Sequence, residues 1–367
     1  MSYYEKHLRY PDIYLSYPDF RLIVNHMAYK KLAVVLGSTS GQGRSVANAL
    51  LKTSGYRIRG ITRDTNSEEA QELTRKGVEM VEGDLDSPHS LTAAFDAAKV
   101  IFAVIEMLGG DTKREITQGK NIVNAAAAVP TLEKFIWSTF PSASGASSGK
   151  ITVPHMDGKA QVDEYIIDSH SALAEKTTFL WGGFYTENMQ YPNFTFNFLI
   201  STGKHIWMHT VNKQTIVPMV GDHNTNIGLV VKRMLARPEL CPPLSYVFAV
   251  TDWLENGELL RLWAKLVEEH HGRKIDAVYV QSNLEAVDQL WPGQGGEMGL
   301  MLKVLEELGK EAWSKRDAKI VTMQELGLKV GDAEGDLVDT RMALRKLIAN
   351  DMLPGNSIEE PIGESRF

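Results

Sequence analysis

A chain of 367 residues, 43% hydrophobic and 23% charged, is long enough to bury a sizeable core in one large or two modest domains and has the composition of a globular protein. Its 39 Lys and Arg against 46 Asp and Glu leave a net charge of −7 with no basic run, which disfavours direct binding to nucleic acid. A single cysteine, Cys241, excludes an intrachain disulfide and a cysteine-built zinc site; no window is apolar enough to span a bilayer and the first 26 residues lack a signal-peptide core, so a cytoplasmic location is expected.

Residues 1–26 show no clear period and are read as an N-terminal extension. An apolar run, Leu32 to Leu36, then ends at Gly37, and Gly41 and Gly43 precede an amphipathic segment led by Arg44 and Ser45. Strand, glycine turn and helix are the parts of a dinucleotide-binding unit. The first glycine permits the turn, the second lets the backbone approach a pyrophosphate, and the third lets the helix pack on its strand. The helix N-terminus offers unpaired N–H groups and a partial positive charge to the phosphates. The spacing here is GxxxGxG rather than GxGxxG, and the strand before and helix after supply the context the motif requires. The backbone of Gly37, Ser38, Thr39, Ser40, Gly41, Gln42 and Gly43 is therefore the candidate pyrophosphate cradle.

The first helix should run to about Lys52, and a strand is expected over Tyr56 to Thr62. Ser67 is a natural N-cap for a helix that Gly77 ends. A third strand spans Val78 to Glu82, with Asp84 and Leu85 after it and a Ser87-Pro88 helix start. Strands over Val100 to Ile105 and Phe135 to Ser138 flank a helix over Ile116 to Ala128. Four strand-helix alternations with short connections predict an open parallel sheet with helices on both faces and a ligand crevice at the carboxyl ends of the strands. The small-residue stretch Pro141 to Gly149 is a loop at that end, followed by a helix over Asp157 to Asp168, a strand over Thr177 to Trp181, and the pair Gly182-Gly183.

Beyond Asn193 the texture changes to short aromatic strands (Phe194 to Leu199, His205 to His209, Thr215 to Val220). Helices follow near Ile227 to Leu235, Gly257 to His271, Leu300 to Trp313 and Leu337 to Asn350, with a strand over Tyr246 to Val250. The architecture expected is α/β: a Rossmann-type doubly wound parallel sheet over 27–192, with a smaller α+β substrate-capping lobe over 193–367, partly interleaved with the sheet.

Arg63 stands twenty positions after Gly43, where the residue that reads the adenosine ribose belongs. An arginine there pairs with a 2′-phosphate, which favours NADP(H), while neighbouring Asp64 keeps NAD open. Asp84 is placed to accept from the adenine amino group or to shape a turn. The pairs His205 and His209, and His270 and His271, lack the spacing of a metal site and read as core and surface histidines; no metal is expected. Trp253, Trp263, Trp291 and Trp313 read as core, with the floor of an aromatic pocket as the alternative. Neither a G-x-S-x-G elbow nor a GxxxxGK[ST] loop is present.

The segments LGSTSGQGRSVA (Leu36 to Ala47), ITRDT (Ile61 to Thr65), GDLDSP (Gly83 to Pro88), KFIWST (Lys134 to Thr139), HMDGKAQVDEYI (His155 to Ile166) and GGFYTENM (Gly182 to Met189) come in order. Together they resemble the NmrA-like family of atypical short-chain dehydrogenases/reductases, which is similar to the isoflavone reductase group. The family's middle glycine is Ser40 here. The superfamily's YxxxK pair falls on His155 to Lys159, with the tyrosine absent. The resemblance implies that Lys159 grips the nicotinamide ribose and acts as proton donor or relay, and that Ser138 or Thr139 stands where the superfamily's serine lies, or is a plain strand-end hydroxyl. Phe184 and Tyr185 are placed to line the nicotinamide pocket, Tyr185 as a further catalytic candidate, or to be core.

A spacing of four puts His155 and Lys159 on one helix face. A histidine near its ordinary value of about 6.5, or a lysine lowered by neighbouring positive charge, can donate a proton at neutral pH; His155 can also simply cap or orient the helix start. Two functions follow: an NADPH-dependent reductase of a small aromatic or polyketide-like carbonyl, imine or enone, or a non-catalytic NADP(H)-sensing regulator of a partner protein. A homodimer is also open.

Overall fold

The first apolar run forms β1 (Lys31–Val35), four of whose five residues are buried. A run buried on both faces marks a central parallel strand. A computed structural model describes residues 30–106 and 110–353, so the extension 1–26 lies outside the described residues. From β1 the chain alternates through α1 (Gly41–Leu51), β2 (Tyr56–Thr62), α2 (Glu68–Arg75), β3 (Glu79–Glu82), α3 (Pro88–Ala94), β4 (Val100–Ala103), α4 (Thr112–Ala127) and β5 (Lys134–Thr139). The small-residue loop winds one helical turn, α5 (Ala143–Ala146), before α6 (Pro154–Ser169), α7 (Ser171–Ala174) and β6 (Thr177–Gly182). Ser67 caps α2 as its position suggested, its hydroxyl accepting from the Ala70 N–H.

The later half supplies β7 (Phe184–Tyr185), β8 (Asn197–Leu199), β9 (Lys204–His209), β10 (Ile216–Gly221), α8 (His223–Ala236), β11 (Tyr246–Ala249) and β12 (Asp252–Glu255). It continues with α9 (Asn256–His271), β13 (Ala277–Gln281), α10 (Leu284–Leu290), α11 (Gln294–Leu308), β14 (Ile320–Thr322) and α12 (Thr340–Ala349). Eight strands form one sheet in the order β14-β11-β6-β5-β4-β1-β2-β3, every neighbouring pair parallel. Two three-stranded sheets, β12-β10-β7 and β13-β9-β8, lie outside it. β12, β13, β14 and α10 were not expected. β14 is three residues long and β12 is half-buried throughout, so neither leaves a hydrophobic period to read.

Successive residues of β1 serve opposite cores, as the pleat requires. Leu32 and Val34 pack with Ile122, Val123 and Trp137, whereas Ala33 and Val35 pack with Val46, Leu50, Val230 and Val231. The second core thus joins α1 to α8, an element from far along the chain. Their crossing is close: a Cβ on Gly228 would lie 2.1 Å from the Ser45 carbonyl oxygen, and the Gly228 N–H donates to Ser45 Oγ at 2.8 Å. β11 and β14 likewise belong to the main sheet, so the later half is built into it.

Under the sheet, the Trp137 indole N–H donates to the Asp163 carboxyl at 3.0 Å. Burial pushes that carboxyl up to about 8 from an ordinary 3.8. The folded state therefore keeps a proton that the unfolded chain releases. The stabilisation is complete below about pH 4 and is lost as pH rises through about 8. Asp163→Asn keeps an acceptor for Trp137 and removes the titration, so denaturation midpoints should depend less steeply on pH across this window. A variant with the same slope as wild type would refute the assignment.

His205 and His209 are buried, whereas His270 and His271 are exposed at the end of α9. His209 lies among Phe194, Trp207 and Tyr279, and burial holds its imidazole at about 3. It is a neutral aromatic packing group. No cluster of His, Cys, Asp and Glu able to hold a metal occurs among the described residues. Cys241 is fully buried, and burial pushes its thiol up. No helix among the described residues is long and apolar enough to cross a membrane.

Candidate functional site

From β1 the sheet order runs one way to β2 and β3 and the other way to β4 and β5, which opens a crevice at the carboxyl ends between β1 and β4. Gly37 turns the chain there with φ +62°, and a Cβ on it would meet Val104 beyond β4 at 3.0 Å. A Cβ on Gly43 would lie 2.2 Å from the Gly37 carbonyl oxygen, so α1 rests directly on the turn. Ser40, at the N-cap of α1, turns its hydroxyl back to Gly37 O at 3.1 Å and gives the helix no side-chain cap. The first-turn N–H groups are thereby left for a ligand. A turn whose glycines have no room for a Cβ and an uncapped helix N-terminus together fit a dinucleotide pyrophosphate. Of the other turn residues, Thr39 accepts from Arg44 Nη2 through its carbonyl at 2.9 Å, and Ser38 is fully buried with its hydroxyl on Ile61 O, so its side chain faces the sheet.

Arg63 follows β2 directly, is exposed, and has no ion-pair partner among the described residues. Asp64 is engaged in its own turn, its carboxylate accepting from the Asn66 N–H at 2.8 Å. Asp84 does the same for the Asp86 N–H at 3.0 Å, which makes the turn-shaping role the one its contacts display. Leu85 is half-buried and its carbonyl accepts from Asn121.

A cavity of about 880 Å³ continues from the glycine turn across the ends of β4, β5 and β6 to α11. His155 and Lys159, one helical turn apart on α6, both line it, as do Ser138, Thr139, Phe184 and Tyr185. Lys159 is buried and its Nζ lies 3.1 Å from Glu115 of α4, also buried. Its charged neighbour is thus an anion, which fixes the position of the ammonium, rather than a cation. His155 directs both its backbone N–H (2.9 Å) and Nδ1 (2.8 Å) at Glu297 of α11, with its ring edge-on to Phe140. Burial acts to raise the Glu297 carboxyl, but its bonds to His155 outweigh that and hold it below the ordinary value. The contacts of His155 are those of a residue that orients the start of α6.

Gln42 does more than complete a loop. Its Nε2 donates to the Tyr185 hydroxyl at 2.6 Å and its Oε1 accepts from Ser138 Oγ at 2.8 Å, tying the glycine turn to β5 and β7. Burial pushes the Tyr185 phenol well above its ordinary value, so it keeps its proton at neutral pH. Its ring stacks on His223 at 4.5 Å, and His223 Nδ1 meets Glu187 Oε2 at 2.8 Å. The imidazole fills the space beside Gly41, where a Cβ would come within 2.2 Å of Nε2. Phe184 packs edge-on to Phe194 at 4.8 Å. Of the four tryptophans, Trp313 lines the cavity, while Trp263 stacks on Phe196 in the core.

Sequence reasoning did not find Glu115, Glu187, His223 or Glu297. Glu115 sits in a run, Lys113 to Glu115, that reads as a solvated face, and the helix bearing His223 was expected to begin later, near Ile227. The hydrophobic approach from Met298, Met301 and Leu305 also comes from α11, far along the chain.

The NmrA-like family oxidoreductase notA of Aspergillus sp. is 32% identical over 145 residues, which are 38% of this chain and 43% of the relative, so the match spans less than half of that protein. NmrA, a negative transcriptional regulator solved in complexes with NAD and with NADP, superposes with a TM-score of 0.69 at 18% identity, covering 88% of this chain and 97% of NmrA. The leucoanthocyanidin reductase of Vitis vinifera, solved with NADPH, gives 0.63 at 15% identity, covering 87% and 99%. The NmrA-like family model matches residues 29–325, and the chain belongs to the NmrA-like family.

Proposed function

We propose that the protein is an NADPH-dependent reductase of a small aromatic or polyketide-like carbonyl, imine or enone, with residues 27–192 as the cofactor-binding domain and 193–367 as a substrate-capping lobe partly interleaved with its sheet. The observation that carries this reading is the cavity itself: about 880 Å³ of space at the carboxyl ends of the strands, with Lys159 in its wall. The aromatic rings in its wall, Phe140, Phe184, Phe194 and Trp313, favour this reading over a non-catalytic NADP(H) sensor.

Bound in the crevice, NADPH supplies a hydride. The glycine turn and the first turn of α1 hold the pyrophosphate, and Arg63 holds the 2′-phosphate. Lys159 grips the nicotinamide ribose and offers an ammonium proton to a developing oxyanion, with Glu115 fixing its position. Tyr185, kept protonated by burial and oriented by Gln42, is a second donor. Phe184, Phe194 and Trp313 exclude water from the reacting carbon.

NADPH should bind more tightly than NADH, and Arg63→Ala should remove most of the difference. A charge-assisted contact to a phosphate is worth about 1.5–3 kcal/mol, roughly one to two decades in affinity. Titration of both cofactors against wild type and variant measures it, and equal wild-type affinities would end the NADP assignment. Incubation with NADPH and a panel of aromatic ketones, imines and enones tests the reductase reading: tight cofactor binding without turnover of any of them supports the sensor instead.

A further inference from the structure

The charged groups around the cavity are acidic on balance. Among the described residues, Glu106, Glu187 and Glu297 line it, no arginine does, and the one lysine, Lys159, is matched by Glu115 at 3.1 Å. The two histidines in the wall, His155 and His223, each hold one of those glutamates at 2.8 Å. Even with both imidazoles protonated, Glu106 is left over. A second and independent feature is Asn193, which lines the same cavity, is only 7% exposed, and has an Oδ1 with no hydrogen-bond partner among the described residues. A buried carbonyl oxygen is normally paired with a donor. An N–H on a ligand in the cavity can supply that donor. The Trp313 indole N–H, likewise unpartnered, adds one neutral donor to the wall. Around these groups stand aromatic rings, Phe140, Phe184 and Phe194 among them, whose faces attract cations.

We propose that the substrate of this site is a cation: an iminium bearing an N–H and flanked by an aromatic ring, in preference to a neutral ketone or to any carboxylate or phosphate ester. This rests on the reductase reading and narrows it. The iminium carbon accepts a hydride with its electron pair from C4 of the reduced nicotinamide; a C–H bond forms as the C4–H bond breaks. The C=N π pair becomes a lone pair on nitrogen, the cation becomes a neutral amine, and the cofactor is oxidised to NADP⁺. No proton is consumed. A site with histidine where the superfamily carries its tyrosine therefore lacks nothing for this reaction, whereas a ketone requires a proton at the developing alkoxide. The glutamates hold the positive nitrogen in the ground state, Asn193 Oδ1 accepts from its N–H, and anionic competitors are repelled.

The test uses the full chain saturated with NADP⁺ and calorimetric titration of two ligands of one shape, tetrahydroisoquinoline as its ammonium ion and neutral tetralol. The ammonium should bind at least about tenfold more tightly, and Glu106→Gln and Asn193→Leu should each cut that ratio severalfold. In parallel, NADPH oxidation is followed with dihydroisoquinolinium, the protonated cyclic imine, and with tetralone, and kcat/KM should favour the cation by about tenfold or more. Ammonium binding no tighter than that of tetralol, absence of binding included, overturns the inference, as does faster turnover of the ketone; the latter leaves the reductase reading standing. Selective ammonium binding with turnover of neither probe supports the cation site and counts against the reductase reading.

Discussion

Lys159→Ala is expected to abolish turnover and to weaken cofactor binding, and the fold will also feel the change. Lys159 and Glu115 are both buried, and the substitution takes away the cation 3.1 Å from the Glu115 carboxylate. Breaking a buried pair from one side costs about 3–5 kcal/mol. Loss of activity alone would therefore not separate chemistry from collapse. Lys159→Met combined with Glu115→Gln removes both charges and should recover most of the melting temperature while turnover stays lost by at least about a hundredfold. Full activity in Lys159→Ala on a substrate that wild type reduces would disprove the mechanism proposed here, whatever the fold.

Gly43→Ala should be comparably severe for a different reason. The added methyl would lie 2.2 Å from Gly37 O, 2.3 Å from Gly37 C and 2.5 Å from Leu36 O, all backbone atoms that cannot swing aside. Either α1 lifts from the turn or the turn opens, and each takes the first-turn N–H groups out of the cradle. Overpacking of this kind costs about 1–3 kcal/mol or more in stability, and cofactor affinity should fall by about two decades. Gly55, where a Cβ would meet nothing within 4 Å, is the control: Gly55→Ala should leave cofactor binding as it is. Nicotinamide fluorescence titration reads both variants, and an unchanged affinity in Gly43→Ala would remove the pyrophosphate from this turn.

Much of this molecule is local physics and was legible without coordinates. The burial of β1, the glycine turn, the Ser67 cap and the alternation through β5 each depend on residues within a few positions of one another. Periodicity, capping and φ preference are such short-range effects. The same locality placed Arg63 at the end of β2, because motif spacing counts residues along one strand-helix-strand unit. The pairing of His155 and Lys159 in one wall followed from the helical repeat alone.

The partners of those residues were decided only by the tertiary structure. Lys159 meets Glu115 across 44 positions, His155 meets Glu297 across 142, and Gln42 meets Tyr185 across 143. No local period records such contacts, because they arise from the order in which parallel strands are laid side by side. That order brought α11 over the cavity, set His223 and Glu187 beside Gly41, and recruited the short strands β11 and β14 to the sheet. The residue types at the cofactor end were therefore readable from the sequence, while the acidity of the rest of the cavity came from glutamates that read, one at a time, as ordinary surface charge and that folding alone collected around one space.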